Sequence, residues 1–119
     1  MKMISWGINM KRYIYENAEV LKIVDGDTVD LMVDMGFNIW KKIRTRLYGI
    51  NAPETKGEER ELGLASKKFL ADLIPVGDFV AIETLGQDKY GRWLAILYKD
   101  DLNINDYMVQ EGQAIVYMV

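Results

Sequence analysis

The chain has 119 residues, of which 50% are hydrophobic and 28% are charged, and its formal net charge is −3. This length and composition predict one globular domain and leave no room for a second of ordinary size. The sequence contains no cysteine and no histidine. Disulfides, thiolate metal sites and histidine-based catalysis are therefore excluded, and any chemistry must use carboxylates, amides, Arg, Lys, Tyr or a metal held by oxygen.

Residues 1–12 are expected to be an N-terminal extension of a single domain that spans 1–119. They alternate apolar and polar residues around Trp6 and lack the continuous apolar stretch of a secretory signal. We therefore expect a cytoplasmic protein that does not associate with a membrane.

The first half of the chain predicts three antiparallel strands. Residues 13–24 favour a strand, and Asp25-Gly26 suits a type I′ hairpin turn, in which both central residues take positive φ. The returning strand covers 28–33, and after a turn at Met35-Gly36 a third strand covers 37–48. These elements predict a meander.

The third strand has one mostly apolar face and one basic face. The basic face carries Trp40, Lys42, Arg44, Arg46 and Tyr48. It could track a phosphate backbone and stack bases, or it could be a solvated sheet face with two amphipathic aromatics. The charge pattern alone favours the solvated face.

The second half predicts a helix, two strands and a short second helix. The first helix starts between Thr55 and Glu61 and ends before Pro75, because apolar residues recur at helical spacing at Leu62, Ala65, Phe69 and Leu73. Phe69 and Leu73 are expected in the core. The remaining elements are strands over 79–84 and 93–98, a helix over 106–111 capped by Asn103 or Asn105 and ended by Gly112, and an extended piece over 114–119.

Five short strands with a helix between the third and the fourth predict a β-rich α+β fold. The architecture that fits is the five-stranded Greek-key OB barrel, with one amphipathic helix between strands 3 and 4 and a short second helix near the C-terminus. A small β-sandwich is the alternative.

Four polar clusters could meet at one end of such a barrel. They are Asp25 to Thr28, Arg46, Asn51 to Glu54, and Asp88 to Arg92. Taken singly, each is explained by a turn, a bend or a surface charge. Together they supply oxygen ligands for a hard cation, a carboxylate to activate water and two guanidinium groups for phosphoryl charge, as phosphodiester hydrolysis requires.

Three motifs in this order resemble the thermonuclease, or staphylococcal-nuclease-like, family. They are Val-Asp-Gly-Asp-Thr-Val at 24–29, Arg-Leu-Tyr-Gly-Ile-Asn-Ala-Pro-Glu-Thr at 46–55 and Asp-Lys-Tyr-Gly-Arg at 88–92. The resemblance extends from about Ala18 to the C-terminus. It implies an OB-type barrel and a calcium-dependent endonuclease that cleaves DNA and RNA, single-stranded or frayed, to 5′-hydroxyl and 3′-phosphate ends.

The resemblance also implies roles for individual residues. Asp27, Asn51 and the main-chain carbonyl of Ala52 would bind Ca²⁺. Arg46 and Arg92 would hold the scissile phosphate, and Glu54 would activate or position the attacking water. Lys89 and Tyr90 would line the nucleotide pocket.

This chain departs from the family pattern in two places. Asn51 stands where an aspartate ligand is usual, which predicts weaker calcium binding or a shifted metal preference and leaves open a non-catalytic nucleic-acid-binding module. The sequence also stops at Val119, before a helix that the resemblance would imply. We expect residues 1–12, with Trp6, Ile8 and Met10, to cover that surface, or a dimer contact to do so; the protein would then be a monomer or a weak dimer.

Overall fold

A computed structural model describes residues 12–117, and its main feature is a closed five-stranded barrel. The barrel strands are β1 (Tyr13–Asp25), β2 (Thr28–Asp34), β3 (Trp40–Leu47), β5 (Phe79–Gln87) and β6 (Trp93–Lys99). Neighbours in the order β3-β2-β1-β5-β6 pair antiparallel, and a parallel pairing of β3 with β6 closes the barrel. The predicted OB-type barrel is confirmed, and the sandwich alternative is wrong.

The remaining elements lie around this barrel. They are β4 (Ile50–Asn51), which pairs with β8 (Ile115–Val116), β7 (Leu102–Asn103), α1 (Arg60–Leu73) and α2 (Ile104–Gln110). Neither helix has the length and apolar character that a bilayer crossing requires, within residues 12–117. We also expect residues 1–12 to cover part of the barrel. Of this segment, the structure describes only Arg12.

The core fills the barrel and the space under α1. Alternate residues of β2 and β3 point inward, so that Val29, Leu31 and Leu47 are fully buried. Leu70 of α1 and Ile74, which directly follows the helix, add to this core. This packing fixes the positions at which β1 and β3 end, and the predicted site lies at those ends.

The turn between β1 and β2 differs from the sequence prediction. Its two residues are Gly26 and Asp27, one position later than expected, and neither adopts the positive φ of a type I′ turn. Glycine is needed at position 26 for space, because a Cβ there would lie 2.1 Å from Ser66 Oγ and 2.9 Å from Ala52 Cβ. The turn is therefore shaped by the close approach of α1.

The buried face of α1 also differs from the prediction. Its buried residues are Gly63, Ser66 and Leu70, whereas Leu62 is 66% exposed. Phe69 and Leu73 are partly buried against the core, as expected. Small residues occupy the contact because α1 lies directly against backbone, where a leucine would not fit.

The second helix is capped by Asn103, whose side chain accepts a hydrogen bond from the Asp106 N–H at 3.0 Å. Asn105, the other predicted cap, is buried instead. It accepts a hydrogen bond from the Leu97 N–H and donates to the carbonyls of Tyr48 and Ala95. Asn105 therefore ties α2 to both sides of the parallel closure.

Candidate active site

A cleft of about 560 Å³ opens where β3 ends and the loop between β5 and β6 folds over it. Five of the eight residues predicted for the site line it, namely Arg46, Asn51, Lys89, Tyr90 and Arg92. They come from three separate segments of the chain. The tertiary structure thus brings together both predicted arginines and both predicted nucleotide contacts.

Arg46 is fixed at the wall of the cleft. Its Nη1 donates to the carbonyl oxygens of Leu47 at 3.0 Å and Ile50 at 2.8 Å, and its Nη2 donates to Asn51 Oδ1 at 3.1 Å. These carbonyls converge because Gly49, with a φ of 81°, reverses the chain between β3 and β4. The side chain is only 14% exposed, so its guanidinium group is oriented before any ligand arrives.

Asp27 lies beneath Arg46 and connects the first two motifs. Its Oδ2 accepts a hydrogen bond from the Ala52 N–H at 2.8 Å and lies 3.4 Å from Arg46 Nη1. Its Oδ1 accepts a hydrogen bond from the Thr28 hydroxyl at 3.0 Å. Asp27 is therefore placed by contacts with β2, β3 and the chain after β4.

Burial raises the pKa of Asp27 to about 6, and the neighbouring Asp25 carboxyl contributes to the rise. A bound cation would favour the ionised form of this buried group. Asp27, Asn51 and the Ala52 carbonyl are all oxygen donors, which fits a hard divalent cation. Only one of these three donors is a carboxylate, so the set contains little negative charge. Within residues 12–117, no three His, Cys, Asp or Glu side chains lie close enough to share a metal ion.

Asp88 holds Arg92, which also lines this cleft. Arg92 Nε donates to Asp88 Oδ2 at 2.8 Å, and the N–H groups of Arg92 and Tyr90 both donate to Oδ1. Burial opposes ionisation of Asp88, but these hydrogen bonds keep its pKa below its ordinary value. Tyr90 is 71% exposed, and Lys89 Nζ and the Arg92 guanidinium lie 5.4 and 5.3 Å from its ring centre.

Glu54 is not brought into the cleft. Its side chain is exposed, and its N–H donates to Glu59 Oε1 at 3.3 Å. Its main chain lies close against α1, because a Cβ at Gly63 would lie 1.9 Å from the Glu54 carbonyl oxygen. Ala52 lines a smaller neighbouring cleft with Asn51 and Pro53.

Two aromatic residues line the main cleft without having been assigned to it from the sequence. They are Tyr48, next to the end of β3, and Tyr117, whose N–H donates to the Gly49 carbonyl at 2.8 Å. The signal for Tyr48 was its place inside the motif that begins at Arg46. Tyr117 had no comparable signal, because its position follows from the pairing of β8 with β4.

Comparison with known proteins identifies the family. A sequence model described as staphylococcal nuclease homologue matches residues 44–119. Similar proteins include an uncharacterized endonuclease of Haemophilus influenzae, 39% identical over 100 residues, and a micrococcal nuclease of Shigella flexneri, 36% identical over 109 residues. The alignments cover 84% of this chain in both cases, but 52% and 58% of the two relatives, so the chain spans little more than half of their length. The chain belongs to the staphylococcal nuclease homologue family.

Proposed function

We propose that the protein is a metal-dependent nuclease that hydrolyses phosphodiester bonds of DNA or RNA. The observation that carries this proposal is the placement of Arg46 and Arg92 in the lining of one cleft, each held by hydrogen bonds within the protein. Family membership and relatives named as endonuclease and micrococcal nuclease support it.

The two guanidinium groups would bind the scissile phosphate and stabilise the charge that develops on its oxygens. Donors that are oriented in advance are effective in this role, since they need little reorganisation during the reaction. Arg46 is oriented by main-chain carbonyls and Arg92 by Asp88. Guanidinium groups suit the task because they stay protonated and present paired donors to phosphate oxygens.

Glu54 would activate or position the attacking water. Attack at phosphorus breaks the bond to the 5′ oxygen, which takes up a proton, and leaves 5′-hydroxyl and 3′-phosphate ends. The Glu54 side chain is exposed and does not line the cleft, so this role requires its carboxylate to turn toward the bound phosphate.

Asp27 and Asn51, with the Ala52 carbonyl, would hold the metal, for which we propose Ca²⁺. When bound, the cation supplies positive charge beside the phosphate. Asp27 is the only one of these three groups that carries a charge. A neutral amide at Asn51 therefore implies a weaker site than one with a second carboxylate.

Lys89 and Tyr90 would contact the nucleotide next to the scissile bond. The exposed Tyr90 ring offers a face for stacking on a base, and the Lys89 ammonium lies close enough to contact a neighbouring phosphate. A base can stack in this way only when it is free of its duplex partner, so we propose single-stranded or frayed substrates.

Cleavage of single-stranded DNA with calcium, with chelator and with Glu54→Gln would test the function. We expect cleavage by the wild type with calcium only, and a loss of at least about 100-fold in Glu54→Gln. Glu58→Gln is the matched control, since Glu58 is an exposed acid in the same connection. Cleavage that resisted both chelation and the Glu54 substitution would refute the assignment.

A non-catalytic nucleic-acid-binding module is the second candidate. It is favoured by the Asn51 amide, whose oxygen accepts a hydrogen bond from Arg46. Within residues 12–117, moreover, no three His, Cys, Asp or Glu side chains lie close enough to share a metal ion. Such a module would retain single-stranded DNA in a salt-sensitive manner and would not cleave it with any divalent metal.

A further inference from the structure

The outer face of β3 carries a row of cations of which the proposed chemistry uses only Arg46. Strand alternation points Ile43, Thr45 and Leu47 toward the core, and it points Trp40, Lys42, Arg44 and Arg46 outward. We call these four outward residues the β3 stripe. The stripe begins in the cleft, because Arg46 is part of the cleft wall.

The β3 stripe is long enough to contact several nucleotides. A strand rises about 3.3 Å per residue, so Trp40 lies roughly 20 Å from Arg46 along β3. Trp40 is 48% exposed at the far end. Proteins that bind single strands combine such a cationic path with an aromatic ring on which a base can stack.

The charges across the sheet favour β3 as the path for a phosphate backbone. Lys42 and Arg44 are on β3, whereas the acids of the same outer face are on β1 and β2, namely Glu19, Asp25, Asp30 and Asp34. Within residues 12–117, the Lys42 ammonium forms no ion pair.

Arg44 remains able to bind a phosphate although it pairs with Asp30. It uses two of its five N–H donors on Asp30, at 2.7 and 3.0 Å, and its side chain is 48% exposed. Asp30 is buried beneath it, and hydrogen bonds from Arg44 hold the pKa of that carboxyl below its ordinary value. Lys22, which faces Asp30 from β1, adds a further cation to this row.

The edge of β3 is also open along much of the stripe. The closing pairing with β6 involves only Thr45, Arg46 and Leu47. From Trp40 to Arg44, β3 therefore has a strand partner on one side only, among the residues that the structure describes. An extended ligand can lie beside this part of β3 without displacing another strand.

We propose that a single-stranded nucleic acid leaves the cleft along the β3 stripe, with Lys42 and Arg44 on successive phosphates and Trp40 stacked on a base. This inference rests on the proposed function, since it extends the same substrate beyond the scissile bond. DNA and RNA share the chemistry involved. The stripe lengthens the binding site, so it distinguishes long substrates from short ones.

Binding in the presence of chelator tests the stripe without cleavage. Fluorescence anisotropy would compare a labelled oligonucleotide of about twelve nucleotides with a dinucleotide, across a range of salt concentrations. We expect Lys42→Glu to weaken binding of the long oligonucleotide about 5- to 10-fold. The salt slope should become shallower by about 0.7, because one phosphate of the single strand is no longer neutralised. Dinucleotide binding should change less than twofold.

Lys41→Glu is the matched control. Lys41 is the adjacent exposed lysine and points to the opposite side of β3, so its substitution changes the net charge equally and leaves the stripe intact.

Trp40→Ala should weaken binding of the long oligonucleotide about 5-fold or more and leave dinucleotide binding unaffected. Far-ultraviolet circular dichroism would check that each variant is folded.

Equal effects of Lys41→Glu and Lys42→Glu would overturn the proposal, because only the overall field would then matter. It would also fail if the wild type bound both ligands equally well. A protein that binds the long oligonucleotide through the stripe but never cleaves it would refute the nuclease function and leave this inference standing.

Discussion

Asn51 lies within a motif of the family but carries an amide where a carboxylate is usual. Its amide oxygen accepts a hydrogen bond from Arg46 at 3.1 Å, so it helps to orient a predicted catalytic group while standing where a metal-binding carboxylate is usual. An amide fulfils the first role well and the second weakly, because it carries no charge.

We predict that Asn51→Asp strengthens calcium binding about tenfold or more, because it adds a second carboxylate to the site. The measurements are the calcium concentration for half-maximal cleavage and the rise in melting temperature on adding calcium. Asn17→Asp, an exposed substitution on β1, is the control for charge alone. Identical calcium dependence in Asn51→Asp and the wild type would show that residue 51 does not contact the metal.

Asp27 should lower stability at neutral pH in the absence of metal. Its pKa is about 6 in the folded protein against an ordinary 3.8, so the folded state favours the protonated carboxyl. The free energy of unfolding is therefore highest below about pH 3.8, and this contribution to stability is lost as the pH rises through 6. The difference corresponds to at most about 3 kcal/mol.

Asp27→Asn should therefore increase the free energy of unfolding at pH 8 by about 1–3 kcal/mol, with the gain shrinking toward pH 4. The amide keeps an oxygen that can accept the Ala52 N–H. Urea denaturation with chelator at several pH values measures this. The exposed Asp101→Asn serves as control, and a constant difference from the wild type between pH 8 and pH 4 would contradict the prediction.

At the scale of elements, α1 packs beside the candidate active site. Gly63 lies against the Glu54 carbonyl, and Ser66 Oγ lies where a side chain at Gly26 would be. The same helix therefore positions both the loop that carries Glu54 and the turn that carries Asp27. Small residues on its buried face permit this approach.

Gly63→Ala should destabilise the protein, although alanine favours helix by about 1 kcal/mol. The added methyl group must push α1 away from Glu54, which we expect to cost about 1–3 kcal/mol overall and to lower cleavage as well. Urea unfolding and an activity assay measure the two effects. Ala65→Gly, at an exposed position of α1, should lose only about 1 kcal/mol. A more stable Gly63→Ala would show that the contact is loose.

At the scale of the whole molecule, the site exists because the barrel closes. Only the parallel pairing of β3 with β6 brings Arg46 near the loop that carries Arg92, and the two residues are far apart in sequence. Asn105 reinforces the closure through its bonds to Tyr48, Ala95 and Leu97.

Asn105→Ala should reduce the free energy of unfolding by about 2–4 kcal/mol, because it leaves buried backbone groups without partners. Asn103→Ala, which removes only the cap of α2, should lose about 1 kcal/mol. Chemical denaturation compares the two variants. If both lost the same stability, Asn105 would act merely as part of α2 and not as a link across the closure.

The sequence by itself determined the elements that depend on local chemistry. Alternation predicted the strands, and Gly112 marked the end of α2. The motifs at 24–29, 46–55 and 88–92 predicted the family and the candidate site residues. These predictions succeeded because periodicity and a contiguous motif are properties of neighbouring residues, whereas the turn at Asp25-Gly26 was mispredicted because its shape depends on α1.

Only the tertiary structure decided how distant segments meet. It placed Asp27 beneath Arg46, left the Glu54 carboxylate outside the cleft and added Tyr117 to the cleft wall. It also showed that Gly63, Ser66 and Leu70, and not Leu62, are the buried residues of α1. Each of these facts depends on the approach of backbones that are remote in sequence, and the spacing of residues along the chain does not encode that distance.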